Sequence, residues 1–160
     1  MFRPPAWDLV QDATAALPNA ITALGTSDET TLVVIGRDNV QADGRDGATH
    51  DVAMRTPAKD VNPLNAHAAT TEKLLRGIYQ NYRIQSTSAT TVDGHPALEQ
   101  RARGIADGHD WSVISLTFGH GTDVYTILGM TYADSDLIQI RENVIAKMVG
   151  SLHFLPPAAR

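Results

Sequence analysis

The chain contains no cysteine. That excludes disulfide frameworks, thiolate nucleophiles and thiolate metal sites, and leaves the compartment open. It is short of positive charge: 13 Lys and Arg stand against 18 Asp and Glu, a net charge of -5, whereas nucleic-acid binding needs a basic footprint. Long hydrophobic runs are missing too. The strongest, Thr31–Gly36, falls far below the roughly 18–20 residues of a spanning helix, so membrane insertion is not expected. Met1-Phe2-Arg3-Pro4-Pro5 has neither the apolar segment nor the cleavage site of a secretory leader. The expectation is a cytoplasmic protein as the chain stands, or a periplasmic or extracytoplasmic one if a leader has been removed. Neither internal repeats nor low-complexity segments occur.

What is present is globular. A chain of 160 residues, 42% hydrophobic and 19% charged, has room for one domain, here residues 1–160, and for a sizeable core. Thr30–Arg37 predicts a strand, and its unbroken Leu32-Val33-Val34-Ile35 suits one covered on both faces. Asn19–Leu24 pairs with it across the turn Gly25–Glu29, while Asp8–Leu17, interrupted by Pro18, is loop or a short helix. A Gly- and Asp-rich loop at Asp38–Asp51 and a short strand at Asp51–Thr56 follow.

Pro63–Tyr79 predicts a helix, with Asn62 as cap and Pro63 at the first helical position. Arg83–Val92, rich in Ser and Thr, predicts a solvated edge strand. Asp93-Gly94, Asp107-Gly108 and Gly119-His120-Gly121 punctuate a meander of Ala97–Gly104, Asp110–Phe118 and Asp123–Tyr132. Ser135 caps a last helix, Asp136–Val149. Leu137, Ile140, Val144 and Met148 form its core stripe, Ile138, Ile145 and Val149 widen it, and Gly150 stands just past its end. Ser151–Leu155 closes as a strand. The pattern is α+β: helices packed on an antiparallel sheet.

Chemistry is thinly signalled. HExxH, GxSxG and phosphate-cradling glycine motifs are absent. His95, His109 and His120 lie in turns that could converge at one end of the meander, the basis of an alternative reading as a small hydrolase or metal-binding protein; turn chemistry accounts equally for them. Arg101 and Arg103 share a strand face with Glu99, as an anion site or a cross-strand charge ladder. Trp111, Val113, Tyr125 and Ile127 are expected opposite Ile114, Leu116 and Phe118. There a second layer, a dimer mate or a protein partner would cover them.

Several segments together resemble the PsbP/Mog/DcrB-like superfamily. They are Pro4-Pro5-Ala6-Trp7 (P-x-W), the strand at Thr31–Arg37, the helix from Pro63, and Val92-Asp93-Gly94-His95-Pro96-Ala97 (V-x-G-x-P-A). To these add the meander with Trp111 and Val124-Tyr125, and Ser151-Leu152-His153-Phe154 after the last helix. The resemblance implies an α/β/α sandwich with a central antiparallel sheet, without catalytic residues or cofactors. It also implies a protein- or ligand-binding role. One branch, the Eag-type chaperones of secretion effectors, shelters apolar segments on a sheet surface. The reading is a non-enzymatic module that engages a protein partner or apolar segment, as a chaperone or accessory factor of a bacterial secretion or envelope system. The binding residues would be Trp111, Val113, Tyr125 and Ile127; no metal and no cofactor are expected.

Overall fold

The computed structural model describes residues 7–39, 63–134 and 136–155. The expected strand at Asp51–Thr56, most of the Asp38–Asp51 loop and the cap at Ser135 lie outside them. Seven strands, β1 (Trp7–Leu9), β2 (Ala20–Thr26), β3 (Thr31–Asn39), β4 (Gln80–Val92), β5 (His95–Ala106), β6 (His109–His120) and β7 (Asp123–Tyr132), form one sheet. Their order is β1-β2-β3-β7-β6-β5-β4, and every neighbouring pair is antiparallel. Helix α1 (Pro63–Ile78) packs on one face and α2 (Ile138–Gly150) on the other. This is the sandwich expected from the sequence.

Turn chemistry closes the meander. Asp93 and Gly94 have φ of 47° and 75°, and Asp107 and Gly108 of 51° and 76°. Two successive left-handed residues twist a two-residue hairpin with the natural hand of its strands. The central strands are sandwiched between the two helices. On β3, Val33 and Ile35 join the core under α2, and Val34 joins the core under α1. On β6, Ile114, Leu116 and Phe118 face α2, whereas Val113 faces α1 beside Leu75, Leu128 and Met130. β4 is the solvated edge its composition foretold.

Helix α2 departs from expectation. It starts at Ile138, and Leu137 stands at its N-cap position without a side-chain capping bond. Leu137 and Ile140 are 48% and 60% exposed, and Ile145 and Met148 are the residues it buries. The C-terminal half of the expected stripe packs on the sheet, Met148 fully buried and Val144 against the core, while its N-terminal half, Leu137 and Ile140, turns to solvent. The cause is polar. Arg141 and Glu142 lie toward the sheet side, Arg141 reaching Asp28 at 3.5 Å and Glu142 accepting a 2.7 Å hydrogen bond from Ser112 Oγ. A stripe read from apolar residues alone steps over both. The helix continues through Gly150, and Ser151 caps it, its N–H and Oγ both donating to the Met148 carbonyl.

Ser151–Leu155 forms no strand. It crosses one end of the sheet, where the Asp93 carboxylate accepts from the Phe154 N–H at 2.8 Å and contacts His153 Nδ1 at 2.9 Å. Phe154 inserts among His120, Tyr125 and Phe118, its ring stacked on His120 at 3.8 Å.

Candidate functional site

The segment between β1 and β2 crosses the α1 face of the sheet. Asp12 accepts hydrogen bonds from the backbone and hydroxyl of Thr14 at 3.0 and 2.6 Å, and the Leu17 N–H donates to the Ala13 carbonyl. That local turn drives Ala13 and Leu17 into the core beneath α1 and leaves Val10, Ala15 and Ala16 along the wall of a gap. The opposite wall is the end of α1. Tyr79 sits flush on the sheet because residue 104 is glycine: a β-carbon there would lie 2.6 Å from the Tyr79 Cβ.

Between the walls lies an apolar cleft of about 420 Å³, with Leu32, Gly25 and Met130 from the sheet and Ile78, Tyr79 and Trp111 around them. Pockets for small organic ligands typically span about 300–1,000 Å³. Trp111 is fixed from three sides. Its Nε1–H donates to the Ala106 carbonyl at 3.1 Å, and its ring meets Tyr79 and Tyr132 edge-on at 6.2 and 4.5 Å. Burial pushes the Tyr79 phenol above its ordinary range, with the neighbouring Tyr82 and Asp107 adding to the shift. Val10 and Ile78 keep 36% and 39% of their surface exposed at the mouth.

A smaller cavity of about 210 Å³ lies under the first half of α1, lined by Asn19, Asp38, His67 and Thr126 among others. His67 Nε2 meets Asp38 Oδ2 at 2.7 Å, while the Thr70 and Thr71 hydroxyls donate back to helix carbonyls.

The four residues singled out in the sequence do not share a face. Trp111 and Val113 belong to the α1 side, Tyr125 and Ile127 to the α2 side. The correction follows from register. A two-residue turn pairs His120 with Asp123, so odd-numbered residues of β6 stand beside even-numbered ones of β7, and Phe118 faces with Tyr125, Leu116 with Ile127. Val113 and Ile127 are 0% exposed; Trp111 and Tyr125 are partly buried, Trp111 at the cleft and Tyr125 in the aromatic cluster with Phe154. The residues that build the cleft with Trp111, chiefly Tyr79, Leu32 and Val10, come from distant segments and carried no shared motif.

The turn histidines converge only in part. His95 Nε2 and His120 Nδ1 are 3.0 Å apart, but His109 lies at the other end of the sheet, stacked on Tyr132 at 4.3 Å and 3.2 Å from Asp134. Among the described residues no three His, Asp or Glu side chains come together in a metal-holding group. Glu99 and Arg101 pair at 2.7 Å along β5 rather than across strands, and Arg103 stands opposite Arg83 of β4, so the cross-strand ladder does not form.

No protein-family model matches the chain, and no curated protein matches it. Solved structures do. Cyanobacterial PsbP (CyanoP) from Synechocystis sp. PCC 6803 is 14% identical with a TM-score of 0.61, over 96% of this chain and 84% of that one. A protein of unknown function from Pseudomonas aeruginosa, PA94, is 14% identical with a TM-score of 0.54, over 97% and 87%. LpqN of Mycobacterium tuberculosis, involved in cell envelope biogenesis, is 13% identical with a TM-score of 0.45, over 93% and 78%. The fold is therefore PsbP-like.

Proposed function

We propose that the chain is a non-enzymatic accessory module that holds an apolar segment of a protein partner in the cleft beside Trp111. The proposal includes a chaperone or accessory role in a bacterial secretion or envelope system. The cleft carries the reading: it is walled by Val10, Leu32, Ile78, Tyr79, Trp111 and Met130, and its apolar rim stays in water. An aromatic anchored from three sides offers contact area at little entropic cost. Of the four residues first considered, Trp111 retains the contact role. Val113 and Ile127 support the sheet from within, and Tyr125 braces the opposite end.

The test uses Val10→Asp and Ile78→Asp, because both side chains are solvent-accessible at the mouth and the fold should tolerate them. Binding of an uncharged Leu- and Phe-rich peptide, followed by fluorescence anisotropy, is expected to weaken at least about tenfold in each, the equivalent of about 1.4 kcal/mol. Undiminished binding in both folded variants would overturn the reading. Self-association through the cleft would show instead as a concentration-dependent mass that the same variants abolish.

A further inference from the structure

Among the described residues, the charged groups at the cleft's lining and in the segments adjoining it are acidic. Glu29 lines it directly, and among the described residues neither lysine nor arginine does. Asp107 occupies the turn that follows Ala106, whose carbonyl holds the Trp111 indole, and its carboxylate acts on the Tyr79 phenol inside the cleft. Asp12 lies between Val10 and Ala15, both cleft residues, and stays ionised because Thr14 hydrogen bonds hold its carboxyl below the usual range. On the neighbouring helix, Arg76 is committed to Glu72 and to the Tyr82 carbonyl. Arg141 reaches Asp28 on the α2 side. Carboxylates from three separate segments thus stand at the apolar interior or next to its lining: the β1–β2 loop, the β2–β3 turn and the β5–β6 turn.

Resting on the proposed function, we infer that the segment held in the cleft is basic and amphipathic: bulky apolar side chains flanked on both sides by Lys or Arg. An apolar pocket selects the anchors, and a one-signed rim selects and steers what surrounds them. The spread of the carboxylates favours a peptide over a single cationic headgroup. A peptide presents several cations at separated points, and one headgroup meets one sector of the rim. The cleft volume of about 420 Å³ also exceeds what one small ring fills, since a cavity of about 150 Å³ already accommodates benzene.

The experiment compares three synthetic peptides with one Leu- and Phe-rich core, flanked by Lys, by Gly-Ser or by Glu, on the full chain. At about 50 mM salt the Lys-flanked peptide is expected to bind at least tenfold more tightly than the Glu-flanked one. The gap should close at about 1 M salt, where the screening length falls to about 3 Å. Glu29→Gln combined with Asp107→Asn should narrow it at low salt, and Asn at 107 keeps a residue that tolerates the positive φ found there. Equal binding of all three peptides would overturn the basic character of the segment and leave the apolar cleft reading standing. No binding by any of them would overturn both. Dodecylamine competing as strongly as the Lys-flanked peptide would replace the protein segment with a cationic amphiphile.

Discussion

Helix α2 rests on a glycine. A β-carbon at Gly129 would lie 2.6 Å from Ile145 Cγ2 and 3.3 Å from its Cδ1, closer than carbon atoms pack. Ile145 is 1% exposed, and its β-branch confines it to essentially one rotamer in a helix. It therefore cannot swing aside, and Gly129→Ala must lift α2 or force the side chain off its rotamer. Overpacking of this kind costs about 1–3 kcal/mol. The lower chain entropy of Ala in the unfolded state returns about 0.4–1 kcal/mol, so a net loss of about 1–2 kcal/mol is expected. At about 2–4 °C per kcal/mol for a chain of this size, the melting temperature should fall by about 2–8 °C. Ile145→Ala alone removes the obstacle and opens a void, a loss of about 2–5 kcal/mol. The double variant places a methyl group where the obstacle stood, so its loss should fall short of the sum by about 0.5–3 kcal/mol. Urea unfolding of the four proteins measures this coupling. Additivity within about 0.3 kcal/mol, or a Gly129→Ala variant as stable as the parent, would refute the close approach of α2 to β7.

Other outcomes follow from the same packing and hydrogen bonds. Glu142→Ala strands the partly buried Ser112 hydroxyl, whose charge-assisted bond is 2.7 Å long; a loss of about 1–3 kcal/mol in urea unfolding is expected. Hydrogen bonds from Thr26 and Thr30 pull the Asp28 carboxyl down from 3.8 to about 2. A depressed folded-state value stabilises above the unfolded one, so this contribution is intact above about pH 4 and is lost as the pH falls toward 2. Asp28→Asn should flatten that limb of a stability-versus-pH curve, and an unchanged limb would contradict the assignment. Phe154→Ala should lower the melting temperature by removing a ring stacked on His120 and flanked by Tyr125; an unaltered melt would mean that this segment does not pack on the sheet.

The sheet was legible because period and punctuation agree along most of the chain. Val33, Val34 and Ile35 announced a doubly covered strand, and Asp93-Gly94 and Asp107-Gly108 fell where hairpins need left-handed residues. What failed was the assignment of faces. On α2, Arg141 and Glu142 occupy positions that apolar counting reserves for carbon. Between β6 and β7, assigning Tyr125 and Ile127 to a face required the length of the turn, because a shift of one residue exchanges the faces. The cleft was out of reach for another reason. The sequence singles out Trp111, but Val10, Leu32 and Tyr79 become its neighbours only when the sheet folds. The separation of His109 from His95 and His120 has the same source: successive hairpin turns fall at alternate ends of a meander.

The two edges of the sheet are protected differently. β1 is 3 residues long and covers only the Leu24–Thr26 end of β2. β4 runs 13 residues, and its register irregularities all lie between Gln80 and Ser86. Bulges discourage an incoming strand, and so do lysine and proline. Thr87–Val92 pairs regularly with β5 and contains neither residue. That half of the border is where a foreign strand would find the best template, so a lysine introduced at Ser88 is expected to suppress any concentration-dependent growth in scattering. Any tendency of the molecule to associate would then be governed by six residues remote from the cleft beside Trp111, and could be engineered away without touching it.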